Sequence, residues 1–244
     1  MRVLVEADLD AVSRRAARIV ADAISSKPDS ILALPTGHTP LRLYAELVRM
    51  HNEEGLDFSR ITALNLDEYI GVSPTDERSF HHYLWSHFFS HLYPLPAAIN
   101  LLSFTADEFA CSQFEIANQK AGGIDLLIAG VGTNGHIAFN EPGTPLDSRT
   151  RIVCLAGSTR EKLTAEFSRD EIPTHAVTLG MGTILEAKAI LVLASGSSKQ
   201  KAVEGLLKGP VSSQNPVSAI RLHGSTTVIL DQEAAGSSES LHRS

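Results

Sequence analysis

Apolar and polar positions follow two rhythms along this chain. Short, nearly unbroken apolar runs stand at 31–34 (ILAL), 61–66 (ITALNL), 124–129 (IDLLIA), 189–195 (AILVLAS) and 226–231 (TTVILD). Runs of this length, bounded by turn residues, predict buried strands. Residues 151–156 (RIVCLA) and 175–180 (HAVTLG) predict two further extended segments. Between them apolar residues recur at helical spacing. The helices so predicted are 40–51, with Pro40 in a first turn, and 79–92, with Ser79 as N-cap. Others are 107–121, 158–167 and 197–208, the last with Ser197 as N-cap. Interleaved strands and helices predict an α/β fold. We expect a single-domain, doubly wound, mostly parallel sheet flanked by helices (three-layer, Rossmann-like). It would span residues 1–233, with the Ser-rich segment 234–244 a disordered tail. Ligands of such sheets sit past the carboxyl ends of the strands. The turns after residues 34, 66, 129 and 195 are therefore the candidate sites.

Composition narrows the partners. The chain has 244 residues, 43% of them hydrophobic, enough for one sizeable core. A net charge of −7 and a pI near 5.8 argue against nucleic acid but leave room for a small phosphorylated metabolite held by local groups. The start, MRVLVEADLD, carries acids and no long apolar stretch, so it reads as no signal peptide. No run is long enough to span a bilayer, and we expect a cytoplasmic protein. Cys111 and Cys154 have neither metal nor disulfide-framework spacing. We expect two buried thiols, no metal and no cofactor.

The turn after 129 reads GVGTNGHIAFNEPG (130–143), with Gly130-x-Gly132-x-x-Gly135 at dinucleotide-fingerprint spacing. A helix begun at Gly135 would meet Pro142 within two turns. The acid wanted about 20 residues on is absent from VCLAGS. A phosphate-binding Walker loop fails as well, because His136 stands where its Lys belongs. The glycines thus predict a shaped loop presenting His136, a proton carrier near pH 7, with Asn134, Asn140 and Glu141 close by. The turn after 34, PTGHTP, leads into a helix whose exposed N–H groups favour an anion. Gly37 allows close approach, and Thr36 and Thr39 add hydroxyls. The turn after 66 begins with Asp67 and Glu68, either of which could serve as a general base. In the turn after 195, Lys199 opposes the dipole of the helix it begins, so a bound anion would account for it. His81, His82, His87 and His91 lack the Glu of an HExxH site and read as packing or exposed groups. Arg149, Arg151 and Arg160 are further candidates for an anion contact.

Taken together, LALPTGHTPLRLY, LNLDEYIGV, GGIDLLIAGVGTNGHIAFNEPGT, SRTRI and PTHAVTLGMGTILEAKAILVL resemble the glucosamine-6-phosphate deaminase family, over about residues 3–233. This is the amino-sugar branch of the superfamily that includes 6-phosphogluconolactonase. The resemblance implies a cofactor-independent conversion of glucosamine 6-phosphate and water to fructose 6-phosphate and ammonia. It implies a phosphate cradle at Thr36, Gly37, His38 and Thr39, with Lys199 as phosphate-binding lysine. Asp67 matches the carboxylate that moves a proton between C2 and C1. His136 matches the acid and base of ring opening, supported by Glu141 and Asn134. Many members have Asp where Asn134 stands. Deaminases commonly carry a phosphate-seeking Arg in a lid, here residues near 157–172, but Ala165 occupies that place, and Lys162 and Arg169 are out of register. Val153 replaces the lysine of the family's allosteric site, although Arg151 is kept. We therefore expect no activation by N-acetylglucosamine 6-phosphate, and a monomer or small homo-oligomer. Galactosamine 6-phosphate as substrate, a lactonase, and a silent sugar-phosphate sensor are the alternatives.

Overall fold

The computed structural model describes residues 1–236. Its regular elements are, in order, β1 (Arg2–Glu6), α1 (Leu9–Ser26), β2 (Ile31–Leu34), α2 (His38–Glu54), β3 (Thr62–Asn65), β4 (Asp67–Tyr69), α3 (Phe80–His87), β5 (Ala98–Ile99) and α4 (Glu108–Lys120). Then follow β6 (Leu126–Gly130), β7 (Arg151–Cys154), α5 (Gly157–Leu163), β8 (His175–Thr178), α6 (Met181–Leu185), β9 (Ala189–Ala194), α7 (Gln200–Leu207), β10 (Thr226–Asp231) and α8 (Gln232–Ala235).

Seven strands form one sheet in the order β1-β10-β9-β6-β2-β3-β5, and each pairing is parallel. Strand residues alternate between two faces, and both faces are apolar. Leu32, Leu34, Ile128 and Leu193 pack with Val12, Ala16, Val20 and Leu47 of α1 and α2. Ile31, Ala33, Leu127 and Val192 pack on the other face with Cys111 of α4 and with Val203 and Leu206 of α7. Helices cover both sides, which is the doubly wound α/β arrangement that the apolar runs predict. From β2 the chain proceeds outward to β3 and β5, and from β6 it proceeds the other way to β9 and β10. The winding thus reverses between β2 and β6, and a crevice opens beyond their carboxyl ends.

Several expectations are corrected. Residues 67–69, 151–154 and 175–178 form a second, antiparallel sheet, β4-β8-β7, outside the parallel one. β1 and α1 add an edge strand and an 18-residue helix, capped by Asp8 accepting from Ala11 N–H. α3 stops at His87, and Phe89–His91 continues as a 3₁₀ turn. α2 begins two residues before Pro40, at His38. The turn Ser197–Lys199 is 3₁₀, follows Gly196 at φ +88°, and has no side-chain cap from Ser197. The fold also runs past residue 233, because Ala234 and Ala235 are buried in α8. The rest of the expected tail, 237–244, lies outside the described residues. Cys111 is buried as expected, whereas Cys154 is exposed, with Sγ 3.3 Å from His175 Nε2. Among the described residues no helix is long and apolar enough to cross a membrane, and no cluster of metal-ligating side chains occurs.

Candidate active site

The crevice is a cavity of about 570 Å³. All four candidate turns reach it. The loop after β2 contributes Thr36, Gly37, His38 and Thr39. Asp67 enters from the start of β4, His136 from the loop after β6, and Lys199 from the turn after β9. Asn134 and Glu141 do not line it. They stand behind His136.

The imidazole is oriented through these two residues. Glu141, as a carboxylate, can only accept, so the Asn134 amide turns its Nδ2 to Glu141 Oε2 at 2.7 Å. That leaves Asn134 Oδ1 as the acceptor facing His136 Nδ1, also at 2.7 Å. Nδ1 therefore carries the proton in the neutral ring, and Nε2, which no described residue bonds, holds the free lone pair. Glu141 Oε1 lies 3.6 Å from Nδ1 and accepts from Thr159 Oγ1 of α5 at 3.2 Å. The adjacent imidazole, followed by the Asn134 and Thr159 donors, outweighs burial and holds the Glu141 carboxyl down at about 2.

The glycines of this loop serve the histidine. A Cβ on Gly132 would fall 2.3 Å from the His136 ring, so the ring rests on bare backbone. Gly135 has φ +86°, and a Cβ there would strike the Asn215 side chain. Ala138, next along the cavity wall, is a non-glycine residue at φ +51°. Backbone held in such a conformation is frequent at ligand sites.

Asp67 and Glu68 separate cleanly. Glu68 is buried and accepts backbone N–H groups from Tyr69, Phe80 and His81, anchoring the start of α3. Burial raises its pKa, and those donors work against the rise. Asp67 is 8% exposed, and its side chain receives no hydrogen bond from the described residues. Its backbone is fixed instead, since Asn65 Nδ2 donates to Asp67 O while Asn65 Oδ1 accepts from Leu102 N–H. Burial first, and then the Glu68 charge, push the Asp67 carboxyl up to about 8.

At the other end, α2 aims its N-terminus at the cavity from Gly37, whose carbonyl accepts from Tyr83 Oη at 2.6 Å. The turn that carries Lys199 is tied down by buried Asp231, which accepts from the Ser195 hydroxyl and from Gly196 N–H and also caps α8. Burial, followed by the positive charge of Lys162, lowers the Lys199 pKa.

The lining groups that were not among the sequence candidates include Tyr69, Phe80, Phe139 and Ser198. Ser198 was accessible through its place one residue before Lys199. The three aromatics carried no such signal. They form a cluster, Tyr69–Phe80 at 4.6 Å and Tyr69–Phe139 at 5.5 Å, on which Leu163 and Phe167 of the α5 segment pack. The other sequence candidates lie elsewhere. Arg149 pairs with Glu115 and Glu186, and Arg151 donates to Asn140 Oδ1. His87 packs edge-on against Tyr83, and His91 contacts Ser86 O.

Comparison with known proteins gives a consistent picture. Residues 6–229 match the family described as glucosamine-6-phosphate isomerases/6-phosphogluconolactonase. A glucosamine-6-phosphate deaminase of Bacillus velezensis is 45% identical, over 97% of this chain and 99% of its own. Glucosamine-6-phosphate deaminase 1 of Bacillus subtilis is 44% identical, over 96% and 98%. A solved monomeric glucosamine-6-phosphate deaminase superposes with TM-score 0.92 at 43% identity, covering 99% of this chain and all of that one. A 6-phosphogluconolactonase from Leishmania guyanensis shares the fold, with TM-score 0.75 at 21% identity over 97% and 98% of the two chains.

Proposed function

The chain belongs to the glucosamine-6-phosphate isomerase/6-phosphogluconolactonase family, and we propose that it converts glucosamine 6-phosphate and water to fructose 6-phosphate and ammonia. One observation carries this reading. A buried carboxylate to which no described residue donates, Asp67, shares a cavity with an imidazole whose free lone pair is on Nε2.

The steps follow from those two groups. His136 Nε2 takes the proton of the anomeric hydroxyl and returns a proton to the ring oxygen, opening the pyranose. The Glu141 charge stabilises the imidazolium that forms in between. C2 is then acidic beside a carbonyl, and ionised Asp67 removes its proton to give an enolamine. The same proton, returned at C1, yields a ketimine at C2. Water adds to that carbon, and the C2–N bond breaks to release ammonia. The phosphate lies in the cradle of Thr36, Gly37, His38 and Thr39, at the α2 N-terminus, with Lys199 opposing its charge. No step calls for a metal or a cofactor. The proposal takes the single α/β domain, through α8, as the catalytic unit, acting in the cytoplasm as a monomer or small oligomer that N-acetylglucosamine 6-phosphate does not activate.

The test is ammonia release from purified protein given glucosamine 6-phosphate, with galactosamine 6-phosphate run in parallel to fix the epimer. Release from glucosamine 6-phosphate is the expected result. Hydrolysis of 6-phosphogluconolactone without ammonia release would make the chain a lactonase, and tight sugar-phosphate binding without turnover would make it a sensor.

A further inference from the structure

The α5 segment lacks a cation at Ala165, beyond the end of the helix. Yet Thr159, Lys162 and Leu163, at i, i+3 and i+4, share one face of α5. Both flanking residues fix where that face points. Thr159 Oγ1 donates to Glu141, directly behind His136. Leu163 is buried on the aromatic cluster whose Tyr69, Phe80 and Phe139 wall the cavity. Lys162 flanks this pair on one side of the helix and Arg160 on the other, and of the two it is Lys162 whose charge bears on Lys199 of the cavity wall.

Lys162 and Lys199 form no ion pair with any described residue. The nearby carboxylate Glu141 is occupied by Asn134, His136 and Thr159. Arg78, a cation from outside the segment that reaches it, is already engaged. Arg78 stacks over Phe167 and pairs with Asp76 and Glu171 on the outside of the segment. The like charge that bears on half-buried Lys199 is that of Lys162. Two ammonium groups brought toward each other without an anion are a repulsive pair, and a dianion placed between them reverses the sign of the interaction.

We propose that Lys162 is a phosphate-binding residue of this site, holding the substrate phosphate against Lys199 and the cradle from one helical turn before Ala165. This rests on reading the cavity as a hexosamine 6-phosphate site. The lid then has a chemical reason to close. It packs on the aromatic wall through Leu163 and Phe167, and a bound phosphate converts the repulsion between Lys162 and Lys199 into a favourable contact. Lys162 is exposed and flexible in reach, so it joins the phosphate without the fixed bidentate geometry of an arginine.

The experiment compares Lys162→Ala with Arg160→Ala, which removes the same charge from the same helix but from the opposite flank of the Thr159–Leu163 line, where it does not bear on Lys199. Calorimetry with inorganic phosphate measures the anion seat without turnover, and steady-state kinetics with glucosamine 6-phosphate measures KM and kcat. Lys162→Ala should weaken phosphate binding and raise KM by about tenfold, with kcat changed less than KM. Lys162→Arg should restore most of the loss, and Arg160→Ala should change neither quantity appreciably. Equal losses in both alanine variants, no loss in Lys162→Ala, or no phosphate binding by the parent protein would overturn the proposal. Failure of the parent to release ammonia would instead overturn the deaminase reading, while the phosphate measurement still decides the role of Lys162.

Discussion

Asp67 and Glu141 are two acids serving one cavity, the first on its wall and the second behind His136, and their surroundings drive them apart. Asp67 sits where the parallel sheet gives way to β4, buried, without a donor, and beside another acid; its carboxyl is pushed up to about 8. Glu141 is backed by an imidazole, an amide and a hydroxyl, and is held at about 2. Desolvation acts on both. Donors and a neighbouring ring decide the outcome for one, and their absence decides it for the other. A carboxyl that changes its proton near neutral pH can carry a proton between two carbons. One that keeps its charge throughout suits the support of an imidazolium.

The most damaging way to break this contrast is Asp67→Asn. It keeps the shape and removes the proton carrier, so kcat should fall by about 10²–10⁴-fold in the ammonia assay. The fold should gain from the change. Between its ordinary 3.8 and about 8, the folded protein holds a proton on Asp67 that the unfolded chain releases. Stability conferred by that proton is therefore lost as pH rises through this window. Thermal melts should show the Asp67→Asn variant more stable than the parent above about pH 8 and close to it near pH 4. An inactive variant no more stable than the parent at high pH would mean that Asp67 is not strained when ionised. In the parent, kcat/KM should climb with pH to a midpoint near 8, the free-enzyme value for Asp67. A flat profile from pH 6 to 9 would remove Asp67 as the base.

Glu141→Gln breaks the other half of the contrast. The amide can still accept from Asn134, but the charge beside His136 is gone. A charge-assisted contact of this kind corresponds to about a tenfold to hundredfold drop in kcat, smaller than at Asp67 because no reacting atom is touched. The linkage sign is reversed as well. A carboxyl held below its ordinary 4.5 stabilises the fold above that pH and loses this contribution as pH falls toward 2. Glu141→Gln should therefore cost stability at neutral pH, where Asp67→Asn adds it. Melting shifts of the same sign in the two variants would refute the contrast.

Part of this arrangement is legible in the sequence for a physical reason. Turns at strand ends in a parallel sheet converge, so four short stretches single out Thr36–Thr39, Asp67, His136 and Lys199, and all of them line the cavity. What distinguishes Asp67 from Glu68 was not legible in the residues themselves; only the family resemblance singled out Asp67. Both are buried, and only the backbone donors of Tyr69, Phe80 and His81 assign Glu68 to structure. β4 has three residues, too few for a periodicity, and its partner in β8 lies far along the chain. The buried face of α1 mixes Ala16, Ala17 and Ala21 with Val12, Val20 and Ile24, a periodic face diluted by small residues. The aromatic wall was not legible, because Phe80 and Phe139 lie in different loops and elements and meet only in the fold, where they face the cavity and the α5 cluster at once. Register by residue number likewise pointed at Ala165, although side chains on a helix are placed by face, and Lys162 shares the face with Thr159.

Thr159→Val tests the finest part of the contrast, the share that α5 holds in keeping Glu141 ionised. The substitution preserves the branched shape and deletes the hydroxyl that donates to Glu141 Oε1 at 3.2 Å. Asn134 and His136 remain, so Glu141 should stay ionised near neutral pH and rise only from its floor of about 2. One neutral-donor hydrogen bond corresponds to about a twofold to tenfold effect on kcat, the smallest expected here. The change should grow as pH is lowered, because a less protected carboxyl takes up its proton earlier. Thr159→Ser, which keeps the donor, should behave as the parent does. If Thr159→Val instead raises KM for glucosamine 6-phosphate with kcat unaltered, the hydroxyl serves to position Lys162 over the phosphate, and the low pKa of Glu141 belongs to His136 and Asn134 alone.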